Sequence, residues 1–230
     1  MDIRKYINDK KKFIDKALDR YLPSPKVKPQ SIHEAMRYAV FPGGKRIRPV
    51  LTLASFEACG GKGDSIMPIA CAIELIHSYT LIHDDLPCMD NDDYRRGRPS
   101  CHKKFSEALA LLAGDALLTL AFHLLSESGN MKVINEISRA VGSSGTIGGQ
   151  VVDIKQKTED RRQKTDMAYI ASHKTGKLFE VAIKSAGIFK GIGEKKIKAL
   201  GDFGRHIGFT FQLVDDLVDR DGSAGIYGDS

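Results

Sequence analysis

The chain has 230 residues, 42% of them hydrophobic and 28% charged, a balance too apolar for disorder, too charged for a membrane bundle, and sufficient for a globular core. No window holds eighteen uninterrupted apolar residues, and the N-terminus MDIRKYINDKKKFIDK lacks the apolar stretch of a signal peptide, so no membrane span is expected and the cytoplasm is the expected location. The net charge of +6 is local: residues 1–30 carry nine Lys/Arg against four Asp/Glu, which marks the solvated face of one helix and not a nucleic-acid surface.

The elements follow from punctuation. All eight prolines lie between positions 23 and 99, and the last 131 residues contain none, so consecutive helices stopped by glycine are expected there. In chain order, Ser31 and Glu34 form a capping-box pattern ahead of IHEAMRYAV, and Pro49 sits near the start of a helix ending at Gly60-Gly61. Residues 66–86 are apolar on every side, which predicts a central core helix. Further helices are predicted near 104–126, 130–141, 146–157, 166–187 and 194–220, with KQKTEDRRQK (155–164) as a charged connector. The four cysteines, 12, 17 and 13 apart, have neither zinc nor redox spacing and are expected to be free thiols. One all-α domain over 1–230 is the expected architecture.

Two acidic clusters carry the chemistry. DDLPCMDNDD places Asp84, Asp85, Asp90, Asp92 and Asp93 directly after the apolar helix. Five mutually repelling carboxylates there read either as a solvated helix end or as a cation site. In a regular helix Asp84 and Asp90 point to different faces, but Pro87 breaks that regularity and can swing Asp90 back. QLVDDLVDRDG adds Asp215, Asp216 and Asp219, of which Asp215 and Asp219 share a face about 6 Å apart along the axis. Two such clusters on two apolar helices predict an acid-lined cavity holding Mg2+, which ordinarily awaits a phosphate.

Cationic donors accompany the carboxylates. FPGGKRIRP supplies Lys45, Arg46 and Arg48 after Gly43 and Gly44, which allow close backbone approach. DYRRGRP supplies Arg95, Arg96 and Arg98, which either pair with the neighbouring aspartates or grip a diphosphate through bidentate guanidinium contacts. HKTGK adds Lys174 and Thr175. His77, on the central helix, reads from position alone as a core histidine. Glu74-Leu-Ile-His77 matches half of a di-iron motif, but that site needs two such elements and the chain has one.

The string ELIHSYTLIHDDLPCMDNDDYRRGRPSCHKKFSEALALLAGDAL, with GGKRIRP before it and GFTFQLVDDLVD after it, resembles the isoprenyl diphosphate synthase family. Within the family it is most similar to the bacterial short-chain, farnesyl-forming (geranyltranstransferase) type, and four residues between the aspartates match bacterial and plastid short-chain members. The resemblance implies an isoprenoid-synthase-type helical bundle around a deep central cavity, usually a homodimer. It implies that Asp84, Asp85 and Asp90 hold Mg2+ on the allylic diphosphate, and that Asp215, Asp216 and Asp219 hold a further ion from the opposite wall. Gly44, Lys45, Arg48, His77 and Arg96 then match the isopentenyl diphosphate site. Arg95, Lys174 and Gln212 match the allylic diphosphate site, with Thr175 beside the reacting carbons. Members of the family continue past the second motif with a lysine and several more helices, so the resemblance also implies that the family's C-terminal helices are lacking from these 230 residues.

The implied reaction is ionisation, condensation and elimination: diphosphate leaves an allylic substrate (dimethylallyl or geranyl), the isopentenyl double bond attacks, and a proton departs. Tyr79 and Thr80 stand five and four residues before Asp84, about 7.5 and 6 Å along the axis. Tyr79 is either core packing or the floor that stops growth at fifteen carbons, and the resemblance supports the floor. Alternatives are a geranylgeranyl or geranyl diphosphate synthase and a non-catalytic prenyltransferase-like partner subunit. Such subunits commonly lose an aspartate motif, whereas both are present.

Overall fold

The computed structural model describes residues 2–41, 44–158 and 164–220. The architecture is all-α: α1 (Ile3–Tyr21), α2 (Gln30–Val40), α3 (Ile47–Ala58), α4 (Met67–Asp84), α5 (Cys101–Lys104), α6 (Glu107–Glu127), α7 (Met131–Val141), α8 (Thr146–Thr158), α9 (Lys164–Ile170), α10 (Lys177–Lys190) and α11 (Glu194–Arg220). Among the described residues the departures from pure helix are a small antiparallel ladder, β1 (Tyr94–Arg95) with β2 (Arg98–Pro99), and a π-helical segment at Ala171–Gly176. Asp2 caps α1 by accepting from the Arg4 and Lys5 N–H groups, and Asn130 caps α7 through Val133, satisfying donors that a helix start leaves open.

One expectation is corrected and one is refined. Helix α2 starts at Gln30 behind Pro29, with no side-chain cap. Ser31 therefore lies inside the first turn and the Ser31–Glu34 capping box does not form, because proline already sets the entry. The helix predicted over 166–187 lies within one unbroken helical run, Lys164–Lys190, whose middle, Ala171–Gly176, is π-helical and shifts the register of α10 relative to α9.

The chain forms two compact units: residues up to Val50 together with Met67–Glu127 make the first, and Leu51–Ile66 together with the described chain from Ser128 make the second. In the first unit α4 is the core helix, as its apolar composition requires. Twelve of its residues are buried, among them Ile69, Ile73, Leu75, Ile76 and Tyr79, and it packs chiefly on α6, with α1 and α2 alongside. Helix α6 is long and apolar enough to cross a membrane by length and composition, yet it lies along α4 with Ala110, Ala113, Leu117, Ala121 and Leu124 buried. In the second unit α10 is the core helix, burying Leu178, Phe179, Val181, Ala182 and Ile183 against α11 and α7. Helix α8 packs on the π-helical segment. All four cysteines are free.

Candidate functional site

The first unit places its chemistry at the C-terminal end of α4. The helix stops at Asp84, three residues before Pro87, and the chain folds back so that the Asp90 N–H donates to the Asp84 carbonyl at 2.9 Å. The return that Pro87 was expected to permit does occur, and it brings the first and last aspartates of the motif together at the backbone. Asn91, in the left-handed region (φ +53°), completes the turn with its N–H on the Leu86 carbonyl. Asp85 is 2% exposed and accepts from Arg95 Nε at 3.0 Å and Nη2 at 2.6 Å, while Nη2 also reaches Asp92 at 2.9 Å. Burial raises the Asp85 carboxyl against the opposing pull of Arg95. Arg95 thus takes the pairing role that its position beside the carboxylates allowed.

Arg95 is held by a hairpin whose central residues, Arg96 and Gly97, both have positive φ (+54° and +72°), the geometry that suits a two-residue turn. Arg98, its ladder partner, anchors the hairpin: its guanidinium stacks 3.7 Å over the Tyr38 ring and donates to the Phe41 carbonyl at 2.7 Å, and Tyr38 Oη donates to the Pro99 carbonyl at 2.7 Å. The Arg96 guanidinium lies against Gly44, where a Cβ would stand 2.8 Å from Nη2. The absence of a side chain at Gly44 leaves room for the Arg96 guanidinium in this position.

The basic motif divides by direction. Lys45 is exposed. Arg48 Nη1 lies 3.3 Å from His77 Nε2. Arg46, expected among the phosphate donors, is instead buried, with Nη1 on Glu74 at 2.6 Å, Nε on Asp15 at 2.9 Å and Nη2 on the Val40 carbonyl at 2.7 Å. Its guanidinium is fully engaged inside the unit, which removes it from the substrate contacts. Burial and the nearby Arg48, Arg96, Arg46 and Arg95 together hold the His77 imidazole well below its ordinary value. A neutral ring bonded to Arg48 within a field of arginines is built to meet an anion. Tyr79 is 5% exposed, packs edge-on against His83 at 5.7 Å, and leaves its hydroxyl without a partner among the described residues. Thr80 is half-buried and bonds back to the His77 carbonyl at 2.8 Å.

The second unit gathers three further site residues. Thr175 Oγ1 donates to Gln212 Oε1 at 2.7 Å, and Lys174 Nζ donates to Asp153 Oδ2 at 2.7 Å. Burial works against ionisation of Asp153, but Lys174 and Lys157 outweigh it and hold the carboxyl below its usual range. Lys174 and Thr175 both lie in the π-helical segment, and Gly149 of α8 lets that segment come close: a Cβ there would be 2.2 Å from the Lys174 backbone nitrogen. Asp153, Gly149, Arg98 and Glu74 were not singled out as supports from the sequence. The doubled glycine of TIGGQVVD was the available signal for the close helix approach. The Arg46–Glu74 pairing had no local signal. The side chains of Asp215, Asp216 and Asp219 lie outside the described residues; their backbone positions fall in α11 after Gln212.

Among the described residues no three His, Cys, Asp or Glu side chains converge into a ready-made metal cage. That fits Mg2+, which keeps waters and is held by one or two carboxylates together with substrate phosphates. The Asp84 and Asp90 carboxylates, hard oxygen donors tied together by the backbone return, are the pair that fits.

Residues 29–229 match the family model described as polyprenyl synthetase, and the chain belongs to that family, where it fits the bacterial short-chain type. It is 38% identical to a farnesyl diphosphate synthase of Geobacillus stearothermophilus, over 97% of this chain and 77% of that protein. It is 44% identical to a heterodimeric geranylgeranyl pyrophosphate synthase large subunit of Arabidopsis thaliana, over 95% of this chain and 61% of that protein. The chain thus spans about three-fifths of its plant relatives' length. The fold matches an FPP/GFPP synthase of Zymomonas mobilis with a TM-score of 0.90 at 36% identity, over 94% of this chain and 81% of that one. A geranyltranstransferase of Thermotoga maritima gives 0.83 at 34% identity, over 98% and 82%.

Proposed function

We propose that this chain is a Mg2+-dependent trans-prenyltransferase that condenses isopentenyl diphosphate with dimethylallyl or geranyl diphosphate, with farnesyl diphosphate as its main product. The observation that carries this reading is the junction at the end of α4. There Asp90 returns to Asp84, Arg95 locks Asp85, and a neutral His77 meets Arg48 among four arginines. Mg2+ held by Asp84 and Asp90 would neutralise charge building on the leaving diphosphate. Arg95 supplies guanidinium charge beside the same carboxylates. Lys45, Arg48, Arg96 and His77 bind the isopentenyl diphosphate, and the neutral His77 can take up a proton as the anion arrives. Lys174, Thr175 and Gln212 contact the allylic substrate in the family pattern, where carbonyl and hydroxyl dipoles of Lys174 and Thr175 shield the cation. In the family pattern the departing diphosphate takes the proton. Asp215, Asp216 and Asp219 hold a further ion in this reading.

Buried Tyr79, five residues before Asp84, supports a fifteen-carbon limit. The 44% identity to the plant geranylgeranyl-forming subunit favours a twenty-carbon product as the second reading. Exposed Leu111 and Leu112 on α6 offer apolar surface to a second copy, in keeping with a homodimer, and four free cysteines suit the cytoplasm. The test is incubation with isopentenyl and geranyl diphosphates and Mg2+, followed by chain-length analysis, with Asp84→Ala alongside. Fifteen-carbon product that disappears in a normally folded Asp84→Ala variant is expected. A twenty-carbon main product selects the second reading, and an active Asp84→Ala removes the metal assignment.

A further inference from the structure

Arg46 stands between exposed Lys45 and half-buried Arg48, and it points inward. Its side chain has 0% exposure and that of Glu74 3%. The guanidinium is spent in three directions: Glu74 of α4 at 2.6 Å, Asp15 of α1 at 2.9 Å and the Val40 carbonyl at the end of α2 at 2.7 Å. Its backbone heads α3, since the Arg46 carbonyl accepts from the Val50 N–H at 3.0 Å. Its φ is +53°, a conformation a non-glycine residue keeps only when its surroundings hold it there.

Glu74 and His77 are three apart on α4 and share a face, while Arg46 and Arg48 are two apart at the head of α3. They meet as two rungs, Arg46 on Glu74 at 2.6 Å and Arg48 on His77 at 3.3 Å. A slip of the Arg46–Arg48 segment by one residue would lose both. A buried ion pair is poor value as a source of stability, because desolvating both charges offsets most of their attraction, and its best-attested use is to specify register.

We propose that Arg46 is a positioning residue: clamped by Glu74 and Asp15, it fixes the segment Arg46–Val50, the first turn of α3, on Glu74 and His77 of α4 so that Arg48 and His77 together receive the diphosphate of isopentenyl diphosphate. The inference rests on the reaction proposed above for its substrate and on geometry alone for the clamp. Glu74 thereby gains a role within Glu74-Leu-Ile-His77 that needs no iron.

Two variants of the full-length protein test it. Arg46→Lys keeps the charge and can still meet Glu74, but a single ammonium cannot also span Asp15 and Val40. Arg46→Met with Glu74→Leu removes both buried charges at similar volume, and circular dichroism checks its fold. With Mg2+ present, each variant should raise KM for isopentenyl diphosphate about tenfold, leaving kcat and KM for geranyl diphosphate within about twofold. Wild-type KM values, or an equal rise for both substrates, overturn the proposal; if the double variant does not fold, Arg46→Lys decides. In unliganded Arg46→Lys, where charge is unchanged, the 15N shift of His77 Nε2 should move as the Arg48 contact loosens, and an unmoved shift also overturns the clamp. A wild-type protein that elongates nothing refutes the proposed reaction, and the histidine shift then decides the clamp by itself.

Discussion

Arg95→Ala separates what the arginine does for the fold from what it does for chemistry. Its side chain gives Asp85 two charge-assisted hydrogen bonds, at 3.0 and 2.6 Å, and Asp92 one at 2.9 Å. Asp92 is half-exposed, so that contact contributes about 0–1 kcal/mol. Asp85 is 4% exposed at the side chain and Arg95 31%. Removing Arg95 strands a buried carboxylate, though water enters where the arginine was, which places the loss near the low end for a broken buried pair, about 2–3 kcal/mol. For a chain of this size that corresponds to a fall in Tm of about 4–12 °C. The sign with pH follows from burial, which already raises the Asp85 carboxyl above its unfolded value. Without Arg95 the carboxyl rises further, so the deficit is full at neutral pH and shrinks as falling pH protonates it in the folded state. Adding Asp85→Asn to Arg95→Ala should restore most of the lost Tm and none of the turnover. Thermal unfolding from pH 7.5 to 4.5, with elongation kinetics at neutral pH, measures both. An unchanged Tm in Arg95→Ala, or a double variant no more stable than the single one, would refute the buried-pair reasoning.

The imidazole of His77, held low by burial and the arginines, favours folding fully above about pH 6.5 and loses that contribution as pH falls towards its folded value; His77→Gln should lose less Tm on acidification, and parallel wild-type and variant curves would disprove this. Gly149→Ala drives a methyl group to 2.2 Å from the Lys174 nitrogen and should cost about 1–3 kcal/mol together with the Lys174–Asp153 pair. Gly193→Ala, with open space around it, should cost only the modest loss of a poorer residue at the start of α11, below about 1 kcal/mol, and equal denaturation midpoints for the two would contradict the close-approach account. Tyr79→Ala should shift the main product to twenty carbons or more and Thr80→Phe to ten, read by chromatography of the dephosphorylated alcohols; fifteen-carbon product from Tyr79→Ala at an undiminished rate would exclude Tyr79 as the floor.

Residues near one another in sequence made much of this protein legible without coordinates. An apolar stretch with no polar face predicts the core helix α4, because no orientation of it satisfies solvent. A proline-free run with glycine stops predicts the later helices. The return of Asp90 to Asp84 could be anticipated from Pro87, a local covalent constraint, and the family from two aspartate motifs and GGKRIRP. What local pattern could not give was direction and partnership. Lys45, Arg46 and Arg48 are chemically alike in a string, and only packing of α1, α2 and α4 around Arg46 decides that the middle cation turns inward while Arg48 finds His77. Ser31–Glu34 satisfied the capping rule but lost to a proline two residues earlier. The π-helical segment carrying Lys174 and Thr175 has no periodic signature, and its close approach to α8 at Gly149 emerges only in the fold. Such pairings span 21 to 31 residues, and the free energy that selects among them is desolvation and contact in the assembled fold, quantities a local sequence pattern does not carry.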